Sequence, residues 1–271
     1  MEQLIKTIIL GVIQGLTEWL PISSTGHLKL AEHFLGLNVP ILFDITLHIG
    51  TLVVIFLFFR QDINNILSAF VRFDFKTEHG KLIPLIIVGT IPTISIGLVF
   101  GEPIESVFQS PLPIAIAFII CGIVLYSAKT GKEKTSNISY STALIIGIAQ
   151  GIAIIPGISR SGATIATALL LGVKREKAFT FSFLLSIPAI TGALASTLCT
   201  QFDKLTTVGL GWAEIFAGMA VAVFVGYFAL KILWKVLTKQ RFHFFASYCW
   251  LLGAALILLN LGFFQPLGLT R

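Results

Sequence analysis

Charge is what this sequence has least of. Asp, Glu, Lys and Arg make up only 12% of its 271 residues, roughly half the share of about 25% in an ordinary soluble domain. That shortage excludes a surface solvated by water all round. With 55% hydrophobic residues and a mean hydropathy of +0.92, the chain is expected to be an integral membrane protein. Cysteine is scarce as well. Cys121, Cys199 and Cys249 lie in or at the ends of apolar stretches. Their odd number and wide spacing exclude a disulfide framework and a cysteine-based zinc site. Acidic residues are outnumbered, 13 against 19 basic ones, for a net charge of +6. No soluble basic segment exists to carry nucleic acid, so none is expected as a partner, and the excess is assigned to membrane orientation. The apolar start runs straight into a polar motif without a small-residue cleavage site, so no cleaved leader is expected.

What is there is a duplication. Shifted by 136 positions without a gap, Gly11 falls on Gly147, Gln14 on Gln150, Gly15 on Gly151, Ile22 on Ile158 and Ser23 on Ser159. Farther along, Gly26 meets Gly162, Leu35 meets Leu171, Gly36 meets Gly172 and Phe43 meets Phe179. A register held that long marks an internal repeat. The differences matter as much. The first copy carries Glu18, Ser24 and His27 where the second has Ile154, Arg160 and Ala163. Acid–base groups on one side and a permanent cation on the other imply one asymmetric site built from both halves.

Six apolar stretches can cross a bilayer: 41–59, 82–101, 112–128, 178–199, 208–235 and 244–264. The pairs 4–20/22–37 and 141–157/162–173 are instead broken by Pro, Gly and Ser, and their second arms are too short to cross. They are read as re-entrant helical hairpins with the motifs at their tips, since irregular backbone at that depth must be walled by protein; two short interfacial helices per pair is the alternative. The expected fold is an all-α integral membrane protein of two inverted-topology repeats, each a re-entrant hairpin plus three transmembrane helices. The whole chain, 1–271, forms one membrane domain, with repeat one at 1–130 and repeat two at 137–271 around the solvated linker 129–137. An odd number of crossings per half inverts the second repeat, so the tips can meet near the midplane. Fourteen of the 19 basic residues then fall on one side, and Lys6, Lys29, Lys204 and Arg271 on the other. The rich side is expected to be cytoplasmic, leaving both termini outside. The connection 60–81 is expected to be a surface helix or loop.

Gln14 and Glu18, four apart, share one helical face. A carboxylate at membrane depth marks a functional position: Glu18 could bind a divalent cation or act as base, with Gln14 a neutral oxygen ligand. The plainer reading makes Glu18 a cap or interfacial group. Ser23, Ser24, Thr25 and Gly26 follow Pro21 and open a helix, where free N–H groups and hydroxyls suit an anion, although Ser-Ser-Thr is also an ordinary N-cap. His27, three residues after Ser24, can face the same point as base or nucleophile. Arg160, at the tip Ser159-Arg160-Ser161-Gly162, presents a planar fork suited to phosphate oxygens; the alternative is an ion pair with Glu18. Asp44 and His48, also four apart, form either a relay or a local pair at a span's outer end.

The segment GVIQGLTEWLPISSTGHL, with PGISRSGAT in the second half, resembles the bacterial undecaprenyl-diphosphatase, or bacitracin-resistance, family over essentially the whole chain. The family's first signature is an acid or Gln, three residues, then Glu, here Gln14 to Glu18. Its second runs from Pro156 to Ser161. Many members carry Glu where this chain has Gln14. The resemblance implies hydrolysis of undecaprenyl diphosphate to the monophosphate and phosphate, in the bacterial cytoplasmic membrane, with a divalent cation such as Mg2+ or Ca2+. The expected partners are this lipid and the bilayer, with a homodimer left open. On that reading Arg160 clamps the terminal phosphate. Ser23, Thr25, Gly26, Ser159, Ser161, Gly162 and Thr164 line it. Ser24 attacks with His27 as base, attack by His27 or by water remaining alternatives. A transporter or flippase of polyprenyl phosphate is the rival, since broken helices meeting at the midplane also build secondary transporters.

Overall fold

A computed structural model of the chain describes residues 2–35, 40–200 and 210–262. Lys204, Arg271 and Gly36 of the expectations above lie outside the described residues. Among the described residues the chain forms eleven α-helices and no strand: α1 (Glu2–Trp19), α2 (Ser24–Leu35), α3 (Ile41–Phe58), α4 (Arg60–Val71), α5 (Leu82–Val107), α6 (Pro111–Ser127), α7 (Tyr140–Ile152), α8 (Arg160–Leu170), α9 (Arg175–Thr200), α10 (Trp212–Thr238) and α11 (Phe244–Asn260). Five segments, containing α3, α5, α6, α9 and α10, are long and apolar enough to cross a bilayer. The chain is therefore a multi-pass, all-helical membrane protein. The sixth anticipated span, α11, is a shorter apolar helix of 17 residues.

Small residues decide how the helices meet. Water cannot drive association within a bilayer, so close backbone approach and dispersion must do so. Gly11 and Gly15 let α1 lie against α10, where a Cβ on Gly15 would stand 2.8 Å from the Ala222 carbonyl oxygen. Gly147 and Gly151 do the same for α7 against α5, where a Cβ on Gly151 would meet Ile96 Cδ1 at 2.6 Å. The glycines that match across the duplication are thus the closest-packed points of two helix pairs. The core lies between α3, α9 and α10. There Phe179 packs edge-on to Phe183 at 4.7 Å between ring centroids, and Phe59 and Trp19 close over them.

Of two connections, the first is a helix as expected and the second departs from expectation in detail. The stretch 60–81 begins with the regular helix α4, separated from α3 only by Phe59. The linker 129–137 is not simply solvated. Lys134 and Thr135 donate to the Gly172 carbonyl at 2.7 and 3.0 Å, and Lys174 donates back to Thr135 at 2.9 Å. An isolated bridge between Thr135 and Val173 results, because backbone groups beside the packed end of α8 must find partners.

Candidate active site

Two broken hairpins supply the site. In the first, α1 ends at Trp19, Pro21 and Ile22 turn the chain, and α2 begins at Ser24. The turn requires a positive φ of 68° at Ser23, a conformation costly for a residue with a Cβ. Ser23 is held there by the second hairpin: its hydroxyl accepts from the Gly157 N–H at 3.0 Å. Gly157 is itself at φ +103°, which a glycine adopts without strain. The two tips therefore lock each other in unusual conformations. Ser161 adds a second cross-link, donating to the Trp19 carbonyl at 3.2 Å.

Glu18 is the hub of this junction. Its Oε1 accepts from Arg160 Nη2 at 2.6 Å. Its Oε2 accepts from the Ser24 hydroxyl at 2.6 Å and from Gln14 Nε2 at 3.2 Å. The carboxylate is only 7% exposed and the guanidinium 16%, so each charge needs the other. Arg160 also lies over the Trp19 ring, 5.8 Å from its centroid. Of the alternatives for Arg160, the ion pair with Glu18 is the one present. Gln14 is fully buried, and its Oε1 has no partner among the described residues. A buried amide oxygen without a partner calls for a water or an ion beside it, although no cluster of three or more His, Cys, Asp or Glu side chains stands among the described residues to hold a metal.

Ser24 and His27, expected to face one point as nucleophile and base, are not hydrogen-bonded to each other. His27 Nδ1 lies 2.7 Å from the Ser23 carbonyl and Nε2 lies 2.7 Å from the Tyr248 hydroxyl. A nitrogen facing a carbonyl must carry the proton, so in neutral His27 the bare Nε2 accepts from Tyr248. One turn of helix carries the imidazole away from Glu18 towards α11. Ser159 caps α8, accepting from the Gly162 N–H at 3.1 Å, and lies 3.2 Å from the Ser161 hydroxyl. Thr164 donates back to the Arg160 carbonyl at 2.9 Å. These three hydroxyls are engaged in holding the tip. Thr25 is exposed beside it. Gly26 and Gly162 are where the tips come nearest: a Cβ on Gly26 would meet Phe118 at 2.8 Å and the Gly157 nitrogen at 3.0 Å. Asp44 and His48 form a local pair, His48 Nδ1 being 3.0 Å from the Asp44 carbonyl and 3.6 Å from its carboxylate.

The family model for bacitracin resistance protein BacA matches residues 7–255. The chain belongs to the BacA family. Curated BacA-family relatives named undecaprenyl-diphosphatase include one from Carboxydothermus hydrogenoformans, 41% identical, the match covering 94% of this chain and 97% of the relative. One from Methanosphaera stadtmanae is 39% identical over 96% and 99% of the two chains. One from Halothermothrix orenii is 42% identical over 95% and 98%.

Sequence reasoning missed two residues of this candidate site. Tyr248 reaches His27 from 221 positions away and stacks on it, the rings 15° apart in plane. Cys121, on α6, accepts from the Ser159 N–H at 3.4 Å and so helps seat the second tip. Neither sits in a motif. Their only signal was a polar group inside an apolar helix, which occurs too often in helical membrane proteins to single them out.

Proposed function

We propose that this protein is an undecaprenyl-diphosphatase of the bacterial cytoplasmic membrane, releasing phosphate from undecaprenyl diphosphate to regenerate the lipid monophosphate. The observation that carries this reading is the Arg160–Glu18–Ser24 chain across the joined tips. On this reading Glu18, the base, stands within hydrogen-bond reach of both the nucleophile Ser24 and the phosphate-binding cation Arg160. Phosphoryl transfer asks mainly for positioning and neutralised charge. The terminal phosphate draws Arg160 from Glu18, and the N-termini of α2 and α8 face the same anion. Ser24 then attacks phosphorus while its proton passes to Glu18 Oε2, the acceptor already 2.6 Å away. Undecaprenyl monophosphate leaves as the bridging P–O bond breaks, and water later frees the serine. His27 and Tyr248 orient the lipid-borne phosphate at the rim. Glu18 and Gln14 Oε1 would hold a divalent cation, and the bare amide oxygen fits that task. Such an ion would supply positive charge to offset that of the diphosphate.

The same reading makes the chain one domain of two inverted repeats with the hairpins re-entrant and the basic loops cytoplasmic. Helix pairing supports it. The 136-residue shift carries α1 to α7, α3 to α9, α5 to α10 and α6 to α11. The partners follow: α1 packs on α10 as α7 packs on α5, α3 on α10 as α9 on α5, and α6 on α11. The test is phosphate release from undecaprenyl diphosphate by purified protein in detergent, with Arg160→Ala and Ser24→Ala alongside. Release by the wild type, lost in both variants, is expected. A folded wild type that is inert with Mg2+ or Ca2+ supplied overturns the proposal.

A further inference from the structure

One amphipathic surface takes no part in the hairpins. Helix α4 starts one residue after α3 ends, so it lies where α3 leaves the bilayer. Ile63 and Ile66 pack against the core. At helical spacing Leu67, Phe70 and Val71 continue that stripe, but into the open, at 55%, 54% and 75% exposure. Phe73 and Phe75 extend it beyond the helix. Gln61, Asn65, Ser68 and Arg72 occupy the opposite side. Phe73 is the most exposed of the aromatic residues here, at 77%, and holds a positive φ of 51°. A non-glycine residue in that strained region, displaying an aromatic ring outward, is a feature to be explained by function.

Charge around this stripe identifies its occupant. The acids of the segment are engaged within the protein. Asp62 pairs with His79 at 3.5 Å, Glu78 pairs with Lys177, and Asp74 accepts from the Lys76 N–H at 3.0 Å. Arg60, Arg72, Lys76 and Lys81 are exposed, and among the described residues none has a carboxylate partner. An apolar stripe rimmed by unpaired cations, at the exit of a membrane span, is the chemistry of an interfacial helix on an anionic lipid surface.

We propose that α4 and the turn after it bind anionic phospholipid, with Leu67, Phe70, Val71 and Phe73 among the acyl chains and Arg72 and Lys76 on head-group phosphates. The surface recruits acidic lipid to this protein independently of catalysis, so the test reads no activity. The protein with Phe73→Trp is reconstituted into phosphatidylcholine vesicles containing a small, equal fraction of either brominated phosphatidylglycerol or brominated phosphatidylcholine. Quenching of the added tryptophan is read against the wild-type background. Stronger quenching by the brominated phosphatidylglycerol is expected, with local enrichment falling roughly fivefold for each cation removed in Arg72→Gln and Lys76→Gln. Val71→Trp serves as a second reporter should the first fold poorly. Equal quenching by both lipids overturns the recruitment of anions. Absence of quenching by either overturns the membrane seating and leaves the stripe to a protein partner.

Discussion

The Glu18–Arg160 pair makes the most exacting prediction, because two charges and two hairpins depend on it. Glu18→Gln keeps the shape and most hydrogen bonds but strands the guanidinium. Arg160→Met keeps an apolar stem over Trp19 but strands the carboxylate. Removing one member of a buried pair typically costs 3–5 kcal/mol. Here the stranded group retains company, since Glu18 still accepts from Ser24 and Gln14 and Arg160 is 16% open to water. The lower end, about 3 kcal/mol for each single change, is therefore expected. The double variant strands neither charge and should also lose only about 3 kcal/mol, which corresponds to a coupling of about 3 kcal/mol. Unfolding in mixed detergent micelles, followed by circular dichroism, measures all four corners of this cycle. Additivity within about 0.5 kcal/mol would refute the claim that the two tips are joined through this pair.

Ser24→Ala should reduce phosphate release by at least about 10²-fold, the scale of losing a positioned reacting group, while leaving the fold intact; brief acid quenching of the wild type with labelled substrate should trap phosphate on Ser24. Tyr248→Phe keeps the stacked ring but loses the hydrogen bond to His27, so turnover should fall about tenfold, the equivalent of one such bond, as read by steady-state assay. Gly26→Ala forces a methyl into Phe118 and the Gly157 nitrogen, so stability should drop by about 1–3 kcal/mol on micelle unfolding, with activity falling as the tips part. Chelation should abolish release and added Mg2+ or Ca2+ restore it. Gln14→Glu should lower the cation concentration needed, because a second carboxylate replaces a neutral ligand.

Sequence alone determined what depends on solvent and on pattern. Low charge and long apolar runs require a bilayer, because no other solvent accommodates them. The breaks at Pro21 and Pro156-Gly157 locate the irregular tips, because proline and glycine act on the backbone wherever they stand. The 136-residue register paired Gly11 with Gly147 and Gln14 with Gln150, and the asymmetry of Glu18 against Arg160 pointed to one shared site. Tertiary structure decided what depends on approach between distant segments. It brought Arg160 onto Glu18 rather than leaving it free, gave the Ser24 hydroxyl to Glu18, and turned His27 towards Tyr248. It also spent Ser159, Ser161 and Thr164 on holding the second tip. The physical reason is that a hydrogen bond is decided by tenths of an ångström and by direction, whereas sequence spacing fixes only which face of a helix a side chain occupies.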